Sequence, residues 1–183
     1  MNDTQTSQAQ GQATRVDLIE AGRKLFATRG FDGTSVRALT TEAGANLGAV
    51  TYHFGSKRGL YTAVLEEGVR PLAARVKAAA EGSGTARQRM TRVVEAYFEH
   101  FVEQPELPYL LLQEVAAGKE PPAVIREIIQ SVKKTLASLQ QEGVADGSVR
   151  PGHPVLTALS VVSQPVYLTL VAPLLRAVAG IDL

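Results

Sequence analysis

The stretch 34–57, TSVRALTTEAGANLGAVTYHFGSK, constrains this chain more than any other. Val36, Leu39 and Ala43 stand at i, i+3 and i+7, which is one face of a first helix. Gly44 then breaks the pattern, and a glycine supplies the positive φ that a tight turn between two helices requires. Asn46 predicts the start of a second helix, because its side chain accepts from the free amides of a first turn. Val50 and Phe54 are four apart and share a face. At about 100° per residue, placing Val50 inward takes Asn46 and Phe54 with it. Gly48, Ala49, Thr51 and Tyr52 then point outward, with Leu47 at the edge. That outer face is small and polar apart from one tyrosine, and it carries no acid. A helix of this kind enters a DNA major groove closely. A surface helical hairpin with no partner satisfies the same pattern.

The remaining sequence reads as helices throughout. A first helix is predicted over 14–29, opened by Thr14 and Asp17 as a capping-box variant and lined inside by Ile19, Gly22, Leu25 and Phe26. Residues 1–13 are Gln, Ser, Thr and Ala without an apolar core; they read as a disordered tail and not as a signal peptide. Ser56 caps a further helix with Leu60, Tyr61, Val64 and Leu65 on one stripe. Gly68 and Pro71 interrupt it, as a bend placed to transmit motion or as a plain helix break. Thr85 and Gln88 form a capping box for the helix that follows 82–84. Pro105 opens a shorter helical piece ended by Gly118, and Pro121-Pro122 open a long helix that stops near Gly143.

From 151 to 175 there is no Asp, Glu, Lys or Arg. The run is long enough to span a bilayer, but Pro151, Pro154, Pro165 and Pro173 free backbone groups that lipid leaves unsatisfied. A helix buried between subunits fits better, with Leu156, Leu159, Val162, Val166 and Leu170 as its interface residues. Pro165 is expected to bend this helix and Pro173 to bend or end it.

The region 14–65 resembles the DNA-binding part of the tetracycline-repressor (TetR) family of bacterial transcription regulators. The resemblance is carried by LFATRGFDGTSV (25–36), EAGANLGAV (42–50) and above all YHFGSKRGLY (52–61). Thr40 stands where that family usually has alanine. Ala45-Asn46 replaces Val-Ser and Thr51 a frequent tyrosine, differences that concern the operator sequence. The resemblance implies an all-α protein. A three-helix helix-turn-helix domain (14–55) would precede a helical domain (56–183) that dimerises and binds an effector. Family members usually carry one more helix after the uncharged segment, which implies a short terminal helix or a further one beyond Leu183.

Carried over position by position, the resemblance makes Arg37 and Thr51 contacts to bases, and Gly48 and Ala49, flanked by Leu47, sites of close approach. Ser35, Tyr52, His53 and Lys57 become phosphate contacts, which set register without reading sequence. Lys57 would also sit in a first helical turn, where amides and dipole already favour an anion; a solvated surface lysine is the alternative. Tyr97, Phe98, Phe101, Tyr109 and Gln113, with Tyr167, are aromatic and amide groups on apolar helices. Core filling accounts for each singly, and the resemblance implies that some line an effector pocket.

The formal charge of +1 gives no general attraction to polyanions, so affinity for DNA must come from local placement. Residues 14–58 carry Arg15, Arg23, Lys24, Arg29, Arg37, Lys57 and Arg58 against Asp17, Glu20, Asp32 and Glu42, a mild excess. There is no cysteine, which excludes disulfides and thiolate metal sites and fits a reducing cytoplasm. Three histidines, His53, His100 and His153, form no ligand set, and neither a phosphate loop nor a nucleophile elbow appears. The expectation is a ligand-responsive repressor without enzymatic activity, cofactor or membrane anchor, bound as a homodimer to a near-palindromic duplex operator. The alternative is a small-molecule-binding or structural helical protein whose helix-turn-helix does not engage DNA.

Overall fold

The structure, a computed structural model, describes residues 2–118 and 120–180. Among them are eight helices and no strand: α1 (Asn2–Arg29), α2 (Val36–Glu42), α3 (Ala49–Phe54), α4 (Lys57–Glu81), α5 (Ala86–Glu103), α6 (Leu107–Ala117), α7 (Ala123–Ala145) and α8 (Pro154–Ala179). The end of the chain, where a terminal helix was expected, falls at 181–183 outside the described residues. Two compact units result. One comprises Met1–Glu67 and Leu110–Gly118, the other Gly68–Tyr109 and Lys119–Leu183.

In the first unit α1, α2 and α3 pack on one another. Leu18, Leu25 and Phe26 of α1, Leu39 of α2, Val50 of α3 and Leu60, Tyr61 and Leu65 of α4 are buried together. The Tyr61 ring meets Phe26 edge-on at 5.0 Å and Phe31 at 5.2 Å. Such aromatic pairs add to the gain from apolar burial. A Cβ at Gly22 would lie 2.8 Å from Val64 Cγ2, so α1 and α4 come closest at a residue without a side chain. Burial pushes the Tyr61 hydroxyl well above its ordinary pKa, and its hydrogen bond to Glu114 of α6 adds to the shift.

In the second unit the later part of α4 buries Val69, Leu72, Val76 and Ala80. α5 buries Val93, Ala96, Tyr97, His100 and Phe101, and α7 buries Ile125, Leu136 and Leu139. α8 packs against α5 and α7 on one side only. Its other side leaves Leu156 (63%), Leu159 (58%), Tyr167 (64%), Leu174 (61%) and Val178 (78%) exposed. These positions recur at three, four, seven or eight residues and form one outward stripe. Of the expected interface residues, Val162, Val166 and Leu170 are half-buried within the protomer.

Several local expectations change. Residues of the expected tail continue α1 from Asn2, because extending a formed helix is far easier than starting one, and Gln and Ala favour it. Thr14 therefore caps nothing: its hydroxyl donates to the Gln10 carbonyl at 3.0 Å inside the helix. α4 runs unbroken through Gly68 and Pro71, and α8 through Pro165 and Pro173. An interior proline costs about 3 kcal/mol. Burial of Val69, Leu72 and Val76 beside Pro71, at about 1.5–3 kcal/mol each, outweighs it. The capping box at Thr85 is present in both halves, and Ser56 Oγ accepts from the Gly59 amide at 3.0 Å.

Candidate nucleic-acid interface

The turn between α2 and α3 is built on Gly44, whose φ of 61° lies in the left-handed region open to glycine. Ser35 opens α2 as its N-cap, accepting from the Ala38 amide at 3.1 Å. Its hydroxyl still carries a proton to donate. Arg37 is exposed in the first turn of α2 and makes no ion pair among the described residues.

α3 does not start at Asn46. The N-cap position is Gly48, without a side-chain hydrogen bond, and the Asn46 carbonyl accepts from the Ala49 amide at 3.0 Å. This later start rotates Ala49 inward: it is 4% exposed, beside Val50 at 1%. Ala49 was expected on the outer face to meet thymine methyls, and its burial removes it from that role. Leu47 takes the place, 63% exposed, with Tyr52 at 84% and Thr51 and Gly48 exposed beside them. His53 is half-buried, its ring edge-on to Tyr52 at 4.8 Å. From Ala43 to Leu65 there is no acidic residue, so nothing on this face repels a phosphate.

Two features were not legible in the sequence. Arg15 stacks over Phe54 at 5.5 Å and pairs with Glu67 at 3.7 Å, fixing the far end of α3 to α1. The added turns of α1 run past the interface: a Cβ at Gly11 would lie 3.9 Å from His53 Cε1. Lys57, expected to face phosphate, points inward. Its Nζ donates to the carbonyls of Phe31 at 2.8 Å and Thr34 at 2.9 Å, and lies 4.2 Å from the Phe31 ring centre.

The expected effector residues separate. Tyr97 and Phe101 are buried with ring centres 5.9 Å apart, and Phe98 is half-buried, all on α5 of the second unit. Tyr109 donates its hydroxyl to the Leu170 carbonyl at 3.4 Å. Gln113 belongs elsewhere: it lies in the first unit and donates Nε2 to the Ala27 carbonyl at 3.1 Å. None of the five lines the cavity of about 240 Å³ formed by Gln140, Gln141, Val144, Pro151, Gly152 and Pro154.

A helix-turn-helix with an acid-free outer face, joined to a separate helical unit, defines the class as a DNA-binding transcriptional regulator. The family model for bacterial regulatory proteins of the tetR family matches residues 18–64, and that for the tetracyclin repressor-like C-terminal domain matches 87–183. The chain belongs to the TetR family. It is 33% identical over 107 residues to the transcriptional activator FasR of Mycolicibacterium smegmatis, covering 58% of this chain and 48% of that protein. It is 26% identical over 145 residues to the transcriptional repressor KstR2 of the same organism, covering 78% and 71%. The crystal structure of a tetR-family regulatory protein from Rhodococcus RHA1 superposes with a TM-score of 0.76 at 23% identity, covering 85% of this chain and 83% of that one. The match thus spans about half the length of FasR.

Proposed function

We propose that the protein is a cytoplasmic repressor that binds a near-palindromic operator as a homodimer and releases it on binding a small apolar effector. The observation that carries this reading is the exposed, acid-free face of Leu47, Gly48, Thr51 and Tyr52, with Arg37 beside it. Arg37 and Thr51 read base edges. Ser35, Tyr52 and His53 hold phosphates.

The second copy covers the outward stripe of α8. This helix is long and apolar enough to cross a membrane, with mean hydropathy 1.7, yet it lies inside the matched C-terminal domain and packs on α5 and α7. A two-fold pair buries the stripe and sets two α3 helices one or more turns of duplex apart. Tyr97, Phe98 and Phe101 offer aromatic surface for an apolar effector in the second unit. The effector favours a conformation in which the two α3 helices no longer match the groove spacing.

Gel retardation with fragments flanking the protein's own gene tests the reading. A retarded complex that weakens steeply with salt is expected, and Tyr52→Ala weakens it while lowering the slope of log affinity on log salt by about 0.9. Failure to retard any fragment at about 50 mM salt, where phosphate contacts are strongest, overturns it and leaves a helix-turn-helix without a nucleic-acid partner.

A further inference from the structure

We propose that Lys57 is a positioning residue. Its ammonium works inward, locking the start of α2 to the end of α3, so that it governs discrimination between sequences and makes no contact with phosphate. This rests on the DNA-binding reading above.

Lys57 is the first residue of α4 and follows α3 after only Gly55 and Ser56. Its stem crosses to the loop between α1 and α2. Two of its three donors meet the carbonyls of Phe31 and Thr34, at 2.8 and 2.9 Å. The Phe31 ring covers the ammonium at 4.2 Å, and the side chain is half-buried. Thr34 is itself fixed: it is 1% exposed, and its hydroxyl points to the carbonyls of Gly30 at 2.8 Å and Leu25 at 3.2 Å. The residue after Thr34 is Ser35, the N-cap of α2, and Arg37 follows two positions later. One ammonium therefore ties the peptide that aims Arg37 to the residue that follows Thr51 and Tyr52 out of α3.

A phosphate oxygen would have to draw this ammonium off two carbonyls. The Thr34 carbonyl would then lose the ammonium, and the Phe31 carbonyl would keep only the long bond from the Thr34 amide at 3.4 Å, in a partly buried loop where native backbones avoid such losses. Positive charge at the helix edge comes instead from Arg58, which stacks over Phe31 at 5.3 Å and Tyr61 at 5.5 Å and is exposed. The two roles of Lys57 leave different marks. A phosphate contact weakens binding to all sequences alike and contributes about 0.9 to the salt slope. A positioning residue leaves non-specific binding and its slope intact and lowers only the specific affinity.

The test uses the full chain, a duplex that the wild-type protein selects from random sequence, and a scrambled duplex of equal length. Fluorescence anisotropy over a range of salt gives both affinities. Lys57→Met keeps the stem and removes the donors. Its affinity for the selected duplex is expected to fall about tenfold, the scale of one misread base pair. Its affinity for the scrambled duplex and both salt slopes should match wild type, and Lys57→Arg should restore part of the discrimination. Equal losses on both duplexes with a slope lower by about 0.9 would overturn the assignment.

Amine acetylation of the wild-type protein, read by mass spectrometry, covers the case in which Lys57→Met does not fold. Lys57 should react more slowly than the exposed Lys24 and at the same rate with or without the selected duplex. Fast reaction in the free protein that DNA then blocks would sink the proposal. A wild-type protein that binds no duplex at all would remove the DNA-binding reading, whereas wild-type discrimination with equal losses in the variant removes the Lys57 assignment alone.

Discussion

Gln113 of α6 donates its side-chain amide to the carbonyl of Ala27, two residues before α1 ends, at 3.1 Å. The last carbonyls of a helix have no partner within it, and a side chain from another element fills one of those vacancies here. The residues around Gln113, 110–118, belong to the same compact unit as the helix-turn-helix. Gln113→Leu should lose about 1 kcal/mol, seen as a fall in Tm of about 2–4 °C for a chain of this size. An unchanged melting curve would mean that this hydrogen bond contributes nothing net.

Gly22 lies where α1 meets α4. A methyl group there would stand 2.8 Å from Val64 Cγ2 and 3.3 Å from Phe26 Cε2. Overpacking of this kind costs about 1–3 kcal/mol, against about 1 kcal/mol gained in helix propensity. Gly22→Ala should therefore destabilise, and pairing it with Val64→Ala should cost less than the sum of the single changes. Urea denaturation of the four proteins measures this; strict additivity would show that the two residues do not press on one another.

Leu159 and Tyr167 stand on the outward stripe of α8, while Val162 is half-buried against the unit's own helices. Leu159→Glu or Tyr167→Glu should shift sedimentation from dimer towards monomer, since an apolar interface does not accept an unpaired carboxylate. Val162→Ala should mainly lower Tm and leave the association state unchanged. A wild-type protein that sediments as a monomer at micromolar concentration would contradict the assigned role of the stripe.

His100 is 1% exposed and donates Nε2 to the Gly68 carbonyl at 2.9 Å, while its Nδ1 has no partner. Burial pushes its pKa below the ordinary 6.5. The Gly68 carbonyl opposes that shift, Arg75 of α4 adds to it, and Glu103 of α5 opposes it. Above pH 6.5 the ring is neutral in both states and its contribution is complete. As pH falls below 6.5 the unfolded chain takes up a proton that the folded chain resists, so stability declines until the depressed folded value is passed. His100→Gln keeps a donor for Gly68 and should flatten stability against pH just below 6.5. Glu103 and Asp146, whose pKa values are lowered chiefly by hydrogen bonds from Arg75 and Ser148, lose their contributions at lower pH and do not blur this window.

The sequence revealed what depends on neighbours along the chain. The spacing of Val36 and Leu39, the turn at Gly44, the cap at Ser56 and the box at Thr85 and Gln88 are local rules, and each is present. What it hid depends on residues far along the chain. The direction of the Lys57 side chain is set by carbonyls 23 and 26 positions away. Ala49 turned inward because α3 starts at a glycine N-cap where an asparagine looked the better one. Gln113 left the expected pocket because α6 divides between two units, a partition that no periodicity encodes.

α3 is six residues long and sinks only Ala49 and Val50 fully into the protein. Its remaining positions are held by the helix and not by the packing of their own side chains. Thr51, which the proposed reading sets against base edges, and Leu47 just before the helix are therefore exchangeable without rebuilding the interior, and on that reading new operator preferences would be open to selection or engineering through a few codons, with the scaffold left as it is.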